Sequence, residues 1–440
     1  MLRFRMVVFA SAFVLIAAAC GDGGDGDGDG DGGGAGDTGE VSVFSAMEPF
    51  EAEALQGVVD ELVTPEVDYQ ATIEGSAEFE EQVQIRIEGG NPPDLAMYPQ
   101  PGAVIEQAEA GNAIALEDLG FDLAELEGIF GDYLLSLGEF EGKHYGIPTN
   151  INAKSIVWYA KDDFDAAGYT VPTTFDEMIQ LSQDMVDNGD TPWCIGLESG
   201  TATGWPATDW MEEIVLRGSG GTEVYDQWVS HEIPFNDPAI VEAGERFGQI
   251  LFGEGFVLGG ADQTPSVAFG DAPNPMFQDP ARCMMHRQAN FILAFFQPPD
   301  VEAGTDYDTF PFPPIDQEGY LIAGELTAIF RDAPEVRDFV ERFISQEVQC
   351  AQGENQETSR ISPNVEVGSD CYTNPILAQA AGALTENLEA GTARFDASDL
   401  MPSEVGAGSF WTGMVEYVQG GPDSLQGVLD DIEASWPAEE

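Results

Sequence analysis

From Val41 onward the chain alternates between strand-like and helix-like hydrophobic patterns. VSVFSA (41–46) places apolar residues with a period of two, as a half-buried strand does. FEAEALQGVVDELV (50–63) then carries apolar residues at helical spacing, and VDYQATI (67–73) returns to alternation. EFEEQVQIRIEGG (78–90) reads as an amphipathic helix closed by glycines, and PPDLAMY (92–98) as a strand entering a proline-rich loop. Strands separated by helices predict parallel βαβ units and an α/β layered lobe. Such sheets bind ligands beyond the carboxyl ends of their strands, which singles out residues 45–50, 76–78 and 98–102. Segment 142–169 joins a glycine and a proline to a polar TNIN stretch, an apolar strand and a helix start, the pattern of a crossover between lobes. From there to about residue 320 the chain is richer in tryptophan and loops. A further helix is predicted over 333–350, capped by Asp332.

The first forty residues follow a different pattern. Arg3 and Arg5 precede an apolar run over 6–19, then Ala17-Ala18-Ala19-Cys20 meets a glycine. A membrane span needs about 20 apolar residues, so 1–20 reads as a signal peptide. Small residues before Cys20 resemble a bacterial lipobox, in which this thiol receives the lipid; Ala17 stands where a leucine-like residue is usual. The other reading is an ordinary signal peptide with Cys20 incidental. Residues 21–40, GDGGDGDGDGDGGGAGDTGE, contain no apolar residue larger than alanine and read as a flexible Asp/Gly tether. Alternate aspartates suggest calcium, but the closing glutamate and apolar flanks of a calcium loop are missing. Leader and tether together place the protein in the cell envelope, on the outer face of the cytoplasmic membrane or in the periplasm, anchored through Cys20.

Composition narrows the function. With 15 Lys+Arg against 80 Asp+Glu the formal net charge is −65, while 43% hydrophobic residues are enough for sizeable cores. Only seven acidic residues fall within the first forty, so the acidity belongs to the folded region. Such a surface repels nucleic acid and anionic lipid, and it disfavours anionic ligands. Most of these carboxylates read as surface solvation suited to salty surroundings. Four cysteines beyond Cys20 allow three pairings. Cys350–Cys371 closes a short polar loop and is favoured, which leaves Cys194 with Cys283. Three histidines and no CxxC predict no zinc-type cluster; no metal and no cofactor are expected.

The order strand–helix–strand, then GSAEFEEQVQIRIEGGNPPDLAMYPQPG and YGIPTNINAKSIVWYAK, resembles extracellular solute-binding proteins of carbohydrate ABC importers. The resemblance is closer to the α-glucoside-binding branch. It rests on PWCIGLESGTATGWPATDWMEEIVLR (192–217), EIPFNDP (232–238), CMMHRQANF (283–291), ISPN (361–364) and FDASDLMPSEVGAGSFWTGMVEYV (395–418), and covers essentially residues 41–437. It implies two α/β lobes joined by three crossings that close on a sugar, with lobe 1 formed by 41–149 plus about 322–362 and lobe 2 by 150–321 plus about 363–440. It also implies delivery to an ABC permease with two membrane subunits and a cytoplasmic ATPase, by a protein expected to be a monomer.

A neutral sugar offers hydroxyls at its ring edge and C–H groups on its faces, so its site needs carboxylates, amides and flat aromatic rings. Trp205, Asp209 and Trp210 of GWPATDW lie close to Glu198 in the ESG turn. Pro206, Gly200 and Gly204 predict a loop there, with Trp205 favoured over Trp210 as the stacking platform. Phe410 and Trp411 follow a glycine-rich stretch. Either backbone there approaches the ligand, or Ser409 caps a helix and both rings pack beneath it. Asp399 reads as a turn cap or a ligand contact. Glu48 corresponds to a polar ligand contact in sugar-binding relatives and equally suits a helix cap. Gln100 lies in the loop after PPDLAMY. Asn150 and Asn152 point to one side of an extended strand. Arg287, Gln288, Asn290, Glu325 and Arg360 are carried by their position in the family pattern.

A glycoside hydrolase is the competing class, since paired carboxylates cleave glycosides. With 80 acidic residues such pairs arise by chance, and no GxSxG, HExxH or GxxxxGK[ST] motif occurs. Within the binding class, a glycosylated compatible solute such as glucosylglycerol is the second ligand. A binding protein without enzymatic activity is the expectation.

Overall fold

A computed structural model describes residues 39–437. The leader, Cys20 and all of the tether except Gly39 and Glu40 lie outside the described residues, and Glu40 belongs to the first strand.

The opening βαβαβ pattern folds as the periodicity predicts. β1 (Glu40–Ser45), β2 (Gln70–Gly75) and β3 (Leu95–Tyr98) alternate with α1 (Pro49–Leu62), α2 (Phe79–Glu88) and α3 (Pro101–Glu109). β1 lies between β2 and β3 and is parallel to both. Val41 and Val43 face one core with Leu55, Val58 and Val59 of α1, while Phe44 faces the other with Phe79, Ala96, Tyr98 and Val104. Burial of both sheet faces is what a parallel sheet requires.

After a small hairpin of β4 (Glu139–Phe140) and β5 (Lys143–His144), β6 (Gly146–Ala153) runs almost directly into β7 (Ile156–Ala160). β7 is the centre of a three-stranded antiparallel sheet with β8 (Met285–Arg287) and β9 (Tyr307–Pro311). The long strand β10 (Tyr320–Ile329) pairs antiparallel with β6 along its length and with β3 at its end, and its start is parallel to β11 (Ala393–Phe395). The larger sheet therefore has the order β11-β10-β3-β1-β2, with β6 beside β10. Between Lys154 and Ser155 the chain passes from this sheet to the smaller one. β10 crosses in the opposite direction, and Ile361 adds a third contact by bridging to Ile151. The second lobe is mainly helical. Trp193, Trp210, Trp228, Phe247, Phe312, Phe410 and Tyr417 form its core around the small sheet.

Two local expectations fail. GWPATDW is not a loop but the start of helix Trp205–Arg217, with Pro206 in its first turn, where proline costs no hydrogen bond. The predicted helix over 333–350 is two helices, Pro334–Phe343 and Gln346–Glu354. Ser345 breaks it by accepting a hydrogen bond from the Val348 N–H at 3.4 Å, and Ala333, not Asp332, takes the first N-cap. The disulfides join Cys350 to Cys371 and Cys194 to Cys283.

Candidate functional site

The carboxyl ends of the three parallel strands open onto one cavity. Ala46, Met47 and Glu48 follow β1, Ala77 follows β2, and Pro99 and Gln100 follow β3. Glu48 is the N-cap of α1, and its N–H donates to the Glu51 carboxylate at 3.0 Å. Gln100 starts α3 and donates to Glu80 at 3.3 Å. Helix starts thus bring carboxyls and an amide to the cavity together.

The crossing strands supply its floor. Asn150 and Asn152 lie two apart on β6 and both line the cavity. Asn150 Oδ1 is buried without a hydrogen-bond partner among the described residues. Opposite it stands Glu325, at an irregularity in the β6–β10 register. Gly324 is required beside it, because a Cβ there would lie 2.4 Å from the Asn150 carbonyl. The Glu325 carboxylate accepts from Arg360 at 2.6 Å, and Arg360 also donates to the Thr149 carbonyl and to Gln352.

Aromatic rings form the other wall. Trp205, half-buried, meets Phe269 edge-on at 5.2 Å and Phe291 at 6.0 Å. Trp411 donates its indole N–H to Ser398 Oγ at 3.2 Å. Gly204, with φ of 117°, lets the two tryptophans converge, since a Cβ there would stand 2.2 Å from the Trp411 carbonyl. The cavity holds about 1050 Å³ of empty space, including its open mouth.

Behind this wall lies a buried charge cluster. The Lys154 ammonium donates to Asp209 at 2.6 Å and to Asp396. Arg287 pairs with Asp209 at 3.1 Å and Glu213 at 3.0 Å, and Glu213 also binds Arg217 and the Ser155 hydroxyl. Five carboxyls, with Glu212 and Asp399, therefore face three cations. Burial, reinforced by the Asp396 charge, pushes Glu212 and Asp399 well above the usual carboxylate range. Burial also raises Asp396, but Lys154 and hydrogen bonds outweigh it and hold this carboxyl down at about 2. Oxygens of Asp209, Glu212 and Asp396 lie within 4.8 Å of one another, a metal-like spacing, but Lys154 supplies the positive charge there.

On the cavity itself burial raises Glu48, with Glu198 adding repulsion, and raises Glu80. Glu51 is pushed up to about 8, chiefly by burial. These carboxyls are hydrogen-bond donors when protonated.

The structure gathers Glu48, Gln100, Asn150, Asn152, Trp205, Glu325, Arg360 and Trp411 around the cavity. Glu198 stands next to it, in a groove that shares Glu48 and Phe269 with the cavity. Asp209, Arg287 and Gln288 are buried behind the wall; Asp209 lies one turn beyond Trp205 on the same helix face, where Lys154 and Arg287 hold it. Trp210 stacks on Phe247, and Phe410 packs against Trp228 and Phe235, so both are core. Ser409 caps nothing. A π-helix, Glu404–Phe410, runs into helix Trp411–Gly420, and Gly406 brings backbone against Ser398 and not against the cavity. Asn290 fastens the crossing, accepting from Ala153 N–H and donating to the Ser359 carbonyl. Sequence reasoning missed Glu51, Glu80, Lys154, Phe269, Phe291, Phe295, Asp396 and Ser398 on the cavity wall. Asp399, weighed as cap or contact, also lines it, while Asp396 does the capping. No local signal singled out Lys154, since the chain's three lysines, Lys143, Lys154 and Lys161, all lie within the segment 142–169.

The family model described as bacterial extracellular solute-binding protein matches residues 51–349. The osmoprotective compounds-binding protein GgtB of Synechocystis is 41% identical over 374 residues, covering 84% of this chain and 86% of its own. The alpha-glucosides-binding periplasmic protein AglE of Rhizobium meliloti is 40% identical over 374 residues, covering 82% and 79%. Among solved structures, the bacterial solute receptor AcbH superposes with a TM-score of 0.75 at 17% identity, over 90% of this chain and 98% of that one, and shares its two-lobed fold.

Two outcomes test the buried chemistry. Lys154→Met leaves Asp396 buried without a cation and Asp209 with Arg287 alone, and is expected to destabilise the fold by about 3–5 kcal/mol in denaturant unfolding; an unchanged midpoint contradicts the cluster's role. The pH dependence has a definite sign. Glu51 binds its proton up to about pH 8 when folded but only to 4.5 in its ordinary state, so stability falls as pH rises through that window. His286, lowered by burial to about 4 from 6.5, acts in the opposite sense but is neutral in both states above 6.5. Between pH 6.5 and 8 the melting temperature therefore drops, and Glu51→Gln makes the drop shallower. An equal slope in wild type and variant contradicts this assignment.

Proposed function

The chain belongs to the bacterial extracellular solute-binding proteins, and on that premise we propose that it captures an α-glucoside or related neutral oligosaccharide in the cavity between its lobes. It hands the sugar to the membrane permease of an ABC importer. One observation carries this reading. Both cations on the cavity wall are already committed, Lys154 to Asp209 and Asp396, and Arg360 to Glu325. Nothing is left to neutralise an anionic ligand, while Asn150 Oδ1 lacks a partner and Trp205 and Trp411 offer ring faces and edges. An uncharged molecule with hydroxyl donors and apolar C–H patches fits that inventory. Carboxyls are abundant, but their role in this reading is to bind hydroxyls, not to cleave a glycosidic bond.

No described helix is long and apolar enough to cross a membrane. We place the protein outside the cytoplasmic membrane, held by a lipid on Cys20 through the Asp/Gly tether, acting as a monomer. A glycosylated compatible solute is the second ligand reading. GgtB, similar over most of its length, is named for osmoprotective compounds, while the comparably similar AglE is named for alpha-glucosides.

Thermal-shift and calorimetric titration with trehalose, maltose, sucrose, maltotriose and glucosylglycerol separates these readings. The true ligand raises the melting temperature by mass action. Trp205→Ala is expected to weaken its binding by about 1–3 kcal/mol through lost stacking area. Binding of none of these, or release of product from a chromogenic α-glucoside in proportion to protein, overturns the proposal.

A further inference from the structure

The lobes also meet beside the cavity. Ala103 and Val104 of α3 pack into the first-lobe core with Phe44 and Tyr98, while Met401 and Val405 belong to the second-lobe core. Between them, α3 lies flush against the segment 399–401. A Cβ on Gly102 would stand 2.4 Å from the Met401 carbonyl oxygen and 3.1 Å from that of Leu400, so only glycine permits the contact. One turn further on, the Glu106 carboxylate accepts two hydrogen bonds from Ser403, from its N–H at 2.7 Å and its hydroxyl at 2.9 Å. None of Gly102, Glu106 and Ser403 lines the ligand cavity. Nor are they part of the crossings at Lys154, β10 or Ile361, and 297 residues separate the hydrogen-bonded pair.

We propose that Gly102, Glu106 and Ser403 form an interlobe clasp that favours the closed form and so sets how long a bound sugar is held. Its hydrogen bonds exist only when the lobes touch; apart, both groups return to water. The clasp therefore contributes to the closed form alone. A ligand retained only by that form has an apparent affinity scaled by the closed fraction, so the clasp changes affinity without touching the ligand. Glu106 and Gly102 are positioning residues in this sense. The retention effect rests on the sugar-binding reading, whereas the clasp itself does not.

The full chain, Glu106→Ala and Gly102→Ala test it. Alanine suits a helix better than glycine, so Gly102→Ala keeps α3 while its Cβ collides only with the opposite lobe. Stopped-flow tryptophan fluorescence gives dissociation rates for each sugar that the wild type binds, and small-angle scattering gives the ligand-free radius of gyration. Both variants should release every sugar about ten-fold faster, by a common factor, and show a larger ligand-free radius. Unchanged rates and radius overturn the clasp. So does a rate change that differs from sugar to sugar, which would make these residues ligand contacts. If the wild type binds none of the sugars, it is the ligand reading that fails. The ligand-free radius then decides alone: expansion in both variants supports the clasp, and no expansion overturns it.

Discussion

An ammonium group buried where the chain crosses between two sheets cannot stand alone, because transfer of an unpaired charge out of water costs many kcal/mol. Lys154 is in that position, between β6 and β7. Its two partners come from distant parts of the chain. Asp209 lies on the helix that begins with Trp205, and Asp396 lies just beyond β11, two residues from the Ser398 that holds the Trp411 indole. One desolvated charge thus fixes the crossover, the helix and the aromatic wall relative to one another. The surrounding excess of carboxyls is eased because burial pushes Glu212 and Asp399 toward their neutral form. The wall is set by electrostatics that the ligand need not supply.

That division of labour explains the cavity's chemistry. Strong charges are paired behind or beside the surface, and the groups left toward the space are amides, raised carboxyls and rings. The floor is built from the crossing strands themselves, with Glu325 at a register irregularity opposite Asn150. Asn150, Asn152 and Glu325, which line the cavity, therefore sit on the crossing strands themselves.

Periodicity made the first lobe legible. The alternating runs at 41–46 and 67–73 and the helical spacing at 50–63 carry both faces of its sheet, and strand ends pointed to Glu48 and Gln100. The second lobe was less legible because its strands are short and its helices begin at unusual residues. Gly204 and Pro206 look like loop formers, yet one adopts a positive φ and the other opens the helix. That reversal changed the meaning of the motif, since on a helix Trp205 and Asp209 share the face toward Lys154 while Trp210 turns into the core. Phe410 shows the same limit: glycines before it signalled close backbone approach, but nothing local told whether ligand or Ser398 lay on the other side. Glu51, Glu80 and Lys154 escaped notice because a charged residue in a polar segment reads as solvated until the fold buries it.

In the proposed function a neutral sugar is held against a wall that Lys154 fixes. A crystal structure of the protein with the tightest-binding sugar of its kind tests this most directly. The expected result is a ring against Trp205 or Trp411, a sugar hydroxyl donating to Asn150 Oδ1, and the Lys154 ammonium still between Asp209 and Asp396. A sugar bound outside this cavity, or a lysine drawn away from both carboxylates to meet it, would contradict it.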